Sequence, residues 1–245
     1  NEVLERILLQ CNSFVEDPGN NFLIESFKDR LTSLTELTAP QIASLCMENQ
    51  RLVLTKVIPA YELLIQTLTG LLEVAKNAQV PYVVACALQE NEELVEETLE
   101  KLLPVAEAAG VTLLLKTSGI YADTGRLRTL LESFASDYTG ALWDMHHPYR
   151  DFDESADTTI KNLGTYVKHV HLRDSDDKDT YNLIGEGTLP VADMIRALSS
   201  INYDGFISLE WKPEWMEDLQ DREIIFPYYV NYMSRPARPI SAGDS

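Results

Sequence analysis

The sequence predicts an α/β chain folded as a (β/α)8 TIM barrel, with the first βα unit incomplete or irregular. Three observations carry this. The 245 residues match the usual size of one such barrel. Short, nearly continuous apolar runs alternate with helical patterns, as expected for a parallel sheet covered on both faces. Four of those runs end in a charged or metal-capable side chain: TLLLK at Lys116, GALWD at Asp144, YVKHVH at His171 and GFISLE at Glu210. Their spacings of 28, 27 and 39 residues are each about one strand–helix repeat. A polar ring at the carboxyl ends of parallel strands is where such a barrel keeps its active site.

The elements follow in order. ILLQCNSF (7–14) reads either as the first strand or as a helix face made by Leu4, Ile7, Leu8, Cys11 and Phe14. FLIESF (22–27) reads as a strand. Thr38 as N-cap, with Pro40 in the first turn, starts a helix over residues 37–49. RLVLTKVI (51–58) reads as the next strand, and a long helix over 60–78 follows Pro59. PYVVACAL (81–88) is a strand leading into a helix that closes on Gly110, with Pro104 set to kink or split it. VTLLLKTS (111–118) is a buried strand. Leu127, Leu130, Leu131 and Phe134 then mark a helix over 123–136. The strand TGALWD, a helix near 154–164, the strand YVKHVHL, a helix over 190–201, the strand GFISLE and a helix near 220–233 complete the pattern. Seven strands are expected beyond the ambiguous 7–14. The barrel is assigned to residues 1–233. The tail 234–245, SRPARPISAGDS, has linker composition and is expected to lead to a further domain.

Composition narrows the function. The net charge is −19, from 39 acidic and 20 basic residues, and no basic cluster is present. That favours small-molecule chemistry and argues against nucleic acid as a partner. No uninterrupted apolar run approaches 18 residues, so no membrane span is expected. Cys11, Cys46 and Cys86 lie far apart in apolar stretches, which suits reduced thiols in a cytoplasmic protein.

Side chains alternate faces along a strand. Asp144 therefore shares a face with Leu142, Lys116 with Leu114, Glu210 with Ser208, and His171 with His169 and Arg173. In a barrel these faces can point inward together. Asp, His and Glu are the nitrogen and oxygen donors that suit a divalent cation. Taken singly, Asp144 could be a helix cap or an ion-pair partner and His171 a satisfied core histidine. His169 reads as structural, and His146 as packing or surface.

The segments WDMHHP, VKHVHLRDSD, LIGEGTLPVADMIRAL and INYDGFISLE carry D-x-x-H, H-x-H-x-x-D, G-E-G and Y-D-G-x-x-x-x-E in this order. Over residues 100–212 the chain resembles the xylose-isomerase-like sugar phosphate isomerase/epimerase superfamily of TIM barrels. The resemblance implies a divalent metal (manganese, magnesium, cobalt or zinc) held by a Glu, an Asp, a His and a second Glu. Asp144, His171 and Glu210 occupy three of those places. His147 matches the family's substrate-contacting histidine. The family's two glutamates move a proton between adjacent sugar carbons through an enediolate, so Glu210 is also a candidate catalytic group.

Lys116 departs from that pattern, because it stands where the first Glu is expected. Three readings stay open. A metal can bind three protein ligands. The lysine ammonium can replace it between Asp144 and Glu210 as a fixed charge. The amine can act as a base or nucleophile with a depressed pKa. Arg173 is a candidate substrate contact or a residue of the mouth with Asp174, and Trp211 an aromatic wall for a sugar or a packing residue. Glu186 either braces a site loop or sits in a turn.

The implied function is isomerase or epimerase chemistry on a small carbohydrate or polyol derivative. The alternatives are a degenerate, non-catalytic sugar-binding or domain-interaction barrel, and a lyase or dehydratase on the same scaffold. A homodimer and a fused downstream domain are the expected assemblies. The superfamily's trinuclear zinc endonucleases are a poor match, since all four histidines lie between 146 and 171.

Overall fold

The structure is a computed structural model, and it describes residues 21–34, 36–87, 91–177, 180–211 and 221–234. The ambiguous run 7–14 and the tail from 235 onward lie outside the described residues. The chain separates into two compact units, residues 1–81 with 91–111, and residues 82–90 with 112–245.

The first unit is helical where described. It contains α1 (Phe22–Thr32), α2 (Ala39–Leu52), a π-helical turn (Val53–Val57), α3 (Ile58–Asn77) and α4 (Glu92–Ala109). Two strand expectations fail in this unit. FLIESF lies in α1 because buried Asn21 caps it, its side chain accepting the Leu23 N–H at 3.0 Å. Such a cap satisfies one of the first-turn amides that otherwise lack partners. RLVLTKVI is helical because nothing ends α2. The chain runs on through the π turn, where the Ile58 N–H reaches back five residues to the Val53 carbonyl. The wider turn accommodates Pro59, which has no N–H and whose ring would crowd the carbonyl four residues earlier.

Thr38 opens α2 as expected, its N–H donating to Gln41 Oε1 at 2.9 Å. Gly110 ends α4 in the left-handed conformation, φ 68°. Pro104 does not split α4. Val53, Ile58 and Tyr61 form a buried cluster with Leu23, Ile24, Ile65 and Leu94 packed on it.

The absence of long apolar runs proved an incomplete membrane criterion. Ala39–Asn77 is one continuous helix of 39 residues, with an 18-residue window of mean hydropathy 1.3, long and apolar enough to cross a bilayer by length and composition. Isolated polar residues break the runs without lowering the average much. A core helix of a water-soluble protein meets the same criterion.

The second unit carries the sheet. Its strands are β1 (Tyr82–Ala85), β2 (Thr112–Lys116), β3 (Thr139–Asp144), β4 (Val167–Leu172) and β5 (Ile207–Leu209), all parallel and adjacent in chain order. Five parallel strands in this order form a half-barrel. The connecting helices are α5 (Thr124–Phe134), α6 (His146–Phe152), α7 (Ala156–Leu163) and α8 (Val191–Ser200), and α9 (Arg222–Met233) follows β5. α7 packs against both α5 and α8. Every residue of β3 is buried, so this strand has both faces covered, as a near-continuous apolar run requires.

One irregularity sets the register. Ala141 pairs with Val167 but Leu142 pairs with His169, so Lys168 is the extra residue of a bulge. A bulge of one residue turns all that follows to the other face. It brings His171, rather than Val170, opposite Asp144. Gly140 makes room, since a Cβ there would lie 2.9 Å from Lys168 Cγ and 3.0 Å from the Tyr166 carbonyl oxygen.

Asp174, just beyond β4, fixes the next loop. Its buried carboxylate accepts the N–H groups of Ser175, Gly185, Gly187 and Leu189 at 2.8–3.2 Å. Asp174 is therefore a loop anchor rather than a residue of the mouth. Glu186 sits in the turn, its N–H bonded to the Leu183 carbonyl and its carboxylate accepting from the Tyr228 hydroxyl.

Gly140→Ala should lower stability by about 1–3 kcal/mol, the usual cost of overpacking a filled site, because the backbone carbonyl of Tyr166 cannot swing aside. Urea unfolding measures this; an unchanged midpoint would show that the bulge does not depend on Gly140.

Candidate active site

Four side chains meet at the carboxyl ends of β2 to β5. Lys116 ends β2 and Asp144 ends β3, His171 is the penultimate residue of β4, and Glu210 directly follows β5. Lys116, Asp144 and Glu210 are buried. Donor atoms of Asp144, His171 and Glu210 all lie within 4.8 Å of one another. The sequence thus identified one cluster from four separate strands.

Lys116 lies in that cluster. Its Nζ is 2.7 Å from Asp144 Oδ2 and 3.2 and 3.3 Å from the two Glu210 oxygens. It donates hydrogen bonds to Glu210. With Asp144 Oδ2 it forms a close ion pair. Burial alone pushes the lysine pKa down, but the attraction of Asp144 and Glu210 reverses this and holds it above the ordinary value. A raised pKa favours the charged ammonium and speaks against an amine base or nucleophile with a depressed pKa.

Asp144 is held from three sides. Its Oδ1 accepts the His146 N–H at 3.0 Å, which supports the start of α6. Its own N–H donates to Thr117 Oγ1 at 2.9 Å. Its Oδ2 faces Lys116. Helix support, ion pairing and a place in the cluster are thus combined in one carboxylate.

His171 is pushed below the ordinary imidazole pKa by burial, and its Nδ1 is buried with no hydrogen-bond partner among the described residues. His169 bonds Ser208 Oγ at 2.9 Å, a structural role as expected. His147 sits half-buried beside the cluster, its Nε2 3.8 Å from Asp144 Oδ2 and its Nδ1 3.0 Å from Asp151.

Arg173 is brought to the same strand ends but turns toward its own partners. Its Nη2 lies 2.7 and 2.6 Å from the ring nitrogens of His146, and its guanidinium sits 4.4 Å from the Tyr181 ring centre. Trp211 meets Tyr181 edge-on at 5.8 Å. His146, Arg173, Tyr181 and Trp211 therefore form a continuous wall. His146 belongs to it, buried, rather than to the surface.

Sequence reasoning missed Thr117, Asp151 and Tyr181. Thr117 follows Lys116 directly and could have been found as the next polar residue past a strand end. Asp151 lies four residues beyond His147, one helical turn away. Tyr181 comes from a loop and left no periodic signal.

The donor set of Asp144, His171 and Glu210, with an orphaned histidine nitrogen, has the chemistry of a divalent-cation site. The positive charge already between the two carboxylates does not fit one. An ion about 2.0–2.2 Å from the same oxygens would face the ammonium across only a few ångströms.

His146 gives a pH prediction. Burial first, then the Arg173 charge, lower its pKa from the ordinary 6.5 to about 3. The unfolded chain takes up this proton below pH 6.5, whereas the folded chain refuses it until about pH 3. Stability should therefore fall as pH drops through 6.5 toward 3. Between pH 7.5 and 5.5, above most carboxylate titration, wild type should lose more of its urea midpoint than His146→Asn. Equal losses would refute the assignment.

Comparison with known proteins agrees with the fold. Residues 53–225 match the family model described as xylose isomerase-like TIM barrel. Fructoselysine 3-epimerase of Escherichia coli O157:H7 is 26% identical over 128 residues, which are 50% of this chain and 46% of that protein. The chain thus spans about half the length of the curated relatives it matches. The structure of an L-ribulose 3-epimerase superposes with TM-score 0.58 at 18% identity, covering 69% of this chain and 65% of that one. The IOLI protein with a bound zinc atom superposes with TM-score 0.56 at 20% identity, covering 69% and 67%. The structural likenesses speak for the fold, and the family match spans well over half of the sequence. The chain belongs to the xylose isomerase-like TIM barrel family.

Proposed function

We propose that this chain is a sugar isomerase or epimerase-type enzyme that moves a proton next to the carbonyl of a small carbohydrate or polyol derivative. The family and its epimerase relatives support this class of chemistry. The observation that carries the reading is the buried Glu210 carboxylate beside a cation at the strand ends. Proton abstraction next to a carbonyl needs a base at the carbon and positive charge near the oxygen.

In this reading Glu210 takes the proton from the carbon next to the carbonyl. The C–H electron pair becomes the carbon–carbon double bond, and the carbonyl pair moves to oxygen as an enediolate. For isomerisation Glu210 returns the proton to the former carbonyl carbon, while the hydroxyl proton of the first carbon passes to the enediolate oxygen and that first carbon becomes the new carbonyl. Epimerisation requires a proton from the opposite face, and His147, half-buried with Nε2 3.8 Å from Asp144 Oδ2, is the candidate for that role. The wall of Tyr181 and Trp211 offers aromatic surface to a sugar face.

A second reading is a barrel that binds a carbohydrate without turning it over. The Lys116 contacts to both carboxylates favour it, since they tie up the group that must act as base.

Incubation with a panel of keto-sugars and keto-polyols in D2O, followed by NMR, separates the two. The enzyme should exchange a carbon-bound proton, and Glu210→Gln should slow that exchange by roughly 10²–10⁴-fold, the usual contribution of a positioned base. Saturable binding with no exchange would leave the binding module standing. Exchange undiminished in Glu210→Gln would remove Glu210 as the base.

A further inference from the structure

We infer that Lys116 is the built-in cation of this site: its ammonium stands in for a divalent metal between Asp144 and Glu210 and keeps such an ion out. For its chemical role the inference rests on the reading above; the exclusion of metal rests on the position of Nζ and the charge count.

Position supports it first. Lys116 ends the strand beside β3, and its stem carries Nζ to 2.7 Å from one carboxylate and 3.2–3.3 Å from the other. These are the two anionic members of the only three-residue donor cluster among the described residues.

Charge supports it second. Two carboxylates against one ammonium leave a single net negative charge. Adding a divalent ion beside the lysine would make a buried site net positive, with two cations competing for the same oxygens. Their repulsion at about 4 Å is worth several kcal/mol even at the effective dielectric of a protein surface. A neutral side chain at this position would lift that repulsion and leave both carboxylates facing His171.

The ammonium also has the right capacity. Lysine carries three N–H donors. It can hold the carboxylates and still present an N–H to an oxygen on which negative charge develops. That is the electrostatic service a metal supplies in proton abstraction, and in this chain it comes from a group that cannot dissociate.

Manganese binding tests this without any turnover assay. The whole chain, purified without chelator, is analysed for metal and titrated with Mn²⁺ by calorimetry, as wild type, Lys116→Ala, Lys116→Met and Lys116→Ala with Asp144→Asn. Wild type should carry no stoichiometric ion. Lys116→Ala, or Lys116→Met where the alanine variant does not fold, should bind Mn²⁺ at least roughly 10–100-fold more tightly, the range over which neighbours of a metal site tune affinity. The added Asp144→Asn should abolish that gain, and Mn²⁺ should raise the melting temperature of the lysine variants only. Stoichiometric metal in wild type that Asp144→Asn releases would overturn the inference. So would equal Mn²⁺ affinity in wild type and the lysine variants. Failure to exchange protons on any sugar would instead sink the proposed activity and leave the metal result intact.

Discussion

The ion pairs of Lys116 with Asp144 and Glu210 are the constraint on which the site depends. They join the ends of β2, β3 and the chain just after β5. Asp144 then transmits the constraint onward, since its other oxygen supports α6 and its backbone is clasped by Thr117. Buried charges are tolerated only when paired, and removing one partner of a buried pair typically costs about 3–5 kcal/mol. The contacts need not make the fold more stable than an apolar core would. What they supply is a link between strand ends, since separating either carboxylate from Lys116 would leave a buried charge without its partner.

Register matters as much as charge. Without the bulge at Lys168, Val170 would stand where His171 does, and an apolar side chain would face Asp144. The bulge in turn needs a residue without a side chain opposite it, which Gly140 supplies. Asp174 then ties the chain leaving β4 to the 185–189 loop through three backbone amides. Gly187 is required for that closeness, since any Cβ there would strike the Asp174 carboxylate. The motif H-x-H-x-x-D followed by G-E-G therefore joins a site histidine to a loop anchor, and only the histidine belongs to the charged cluster.

The second unit was largely legible in the sequence; in the first the helix starting at Thr38, the long helix near 60–78 and the helix closing on Gly110 were legible, but two apolar runs were misread. β2 to β5 announced themselves because buried parallel strands are short apolar runs bounded by turn residues, and each carried a polar residue at or beside its end. FLIESF and RLVLTKVI carry the same kind of run, yet both are helical. For such short apolar stretches periodicity cannot separate a strand from a buried helix. The deciding signals were the Asn21 cap and the lack of any break before Pro59, which the π turn absorbs. At the site, residue identity and spacing were enough to name Lys116, Asp144, His171 and Glu210. They could not show where Nζ goes, because that depends on the reach of a flexible stem among three strands. Nor could they show that Arg173 turns to His146 and Tyr181, which depends on a loop.

A lysine where the family resemblance implies a glutamate changes what the chain must withstand before any ligand binds. Three carboxylates at these strand ends would repel one another until an ion arrived, so folding and metal loading would be linked. With Lys116 the negative charges are answered by the chain itself, and the cluster is assembled as soon as β2, β3 and β5 come together. The gain is a site whose charge does not depend on ion supply. The loss is strength, since a single charge on a flexible stem polarises an oxygen less than a divalent ion fixed by several ligands. Chemistry that survives such an exchange must be undemanding at the carbonyl, with the C–H bond already weakened by its neighbours. Under the proposed isomerase or epimerase reading, a ketose or keto-polyol, whose reacting C–H lies next to its carbonyl, meets that requirement.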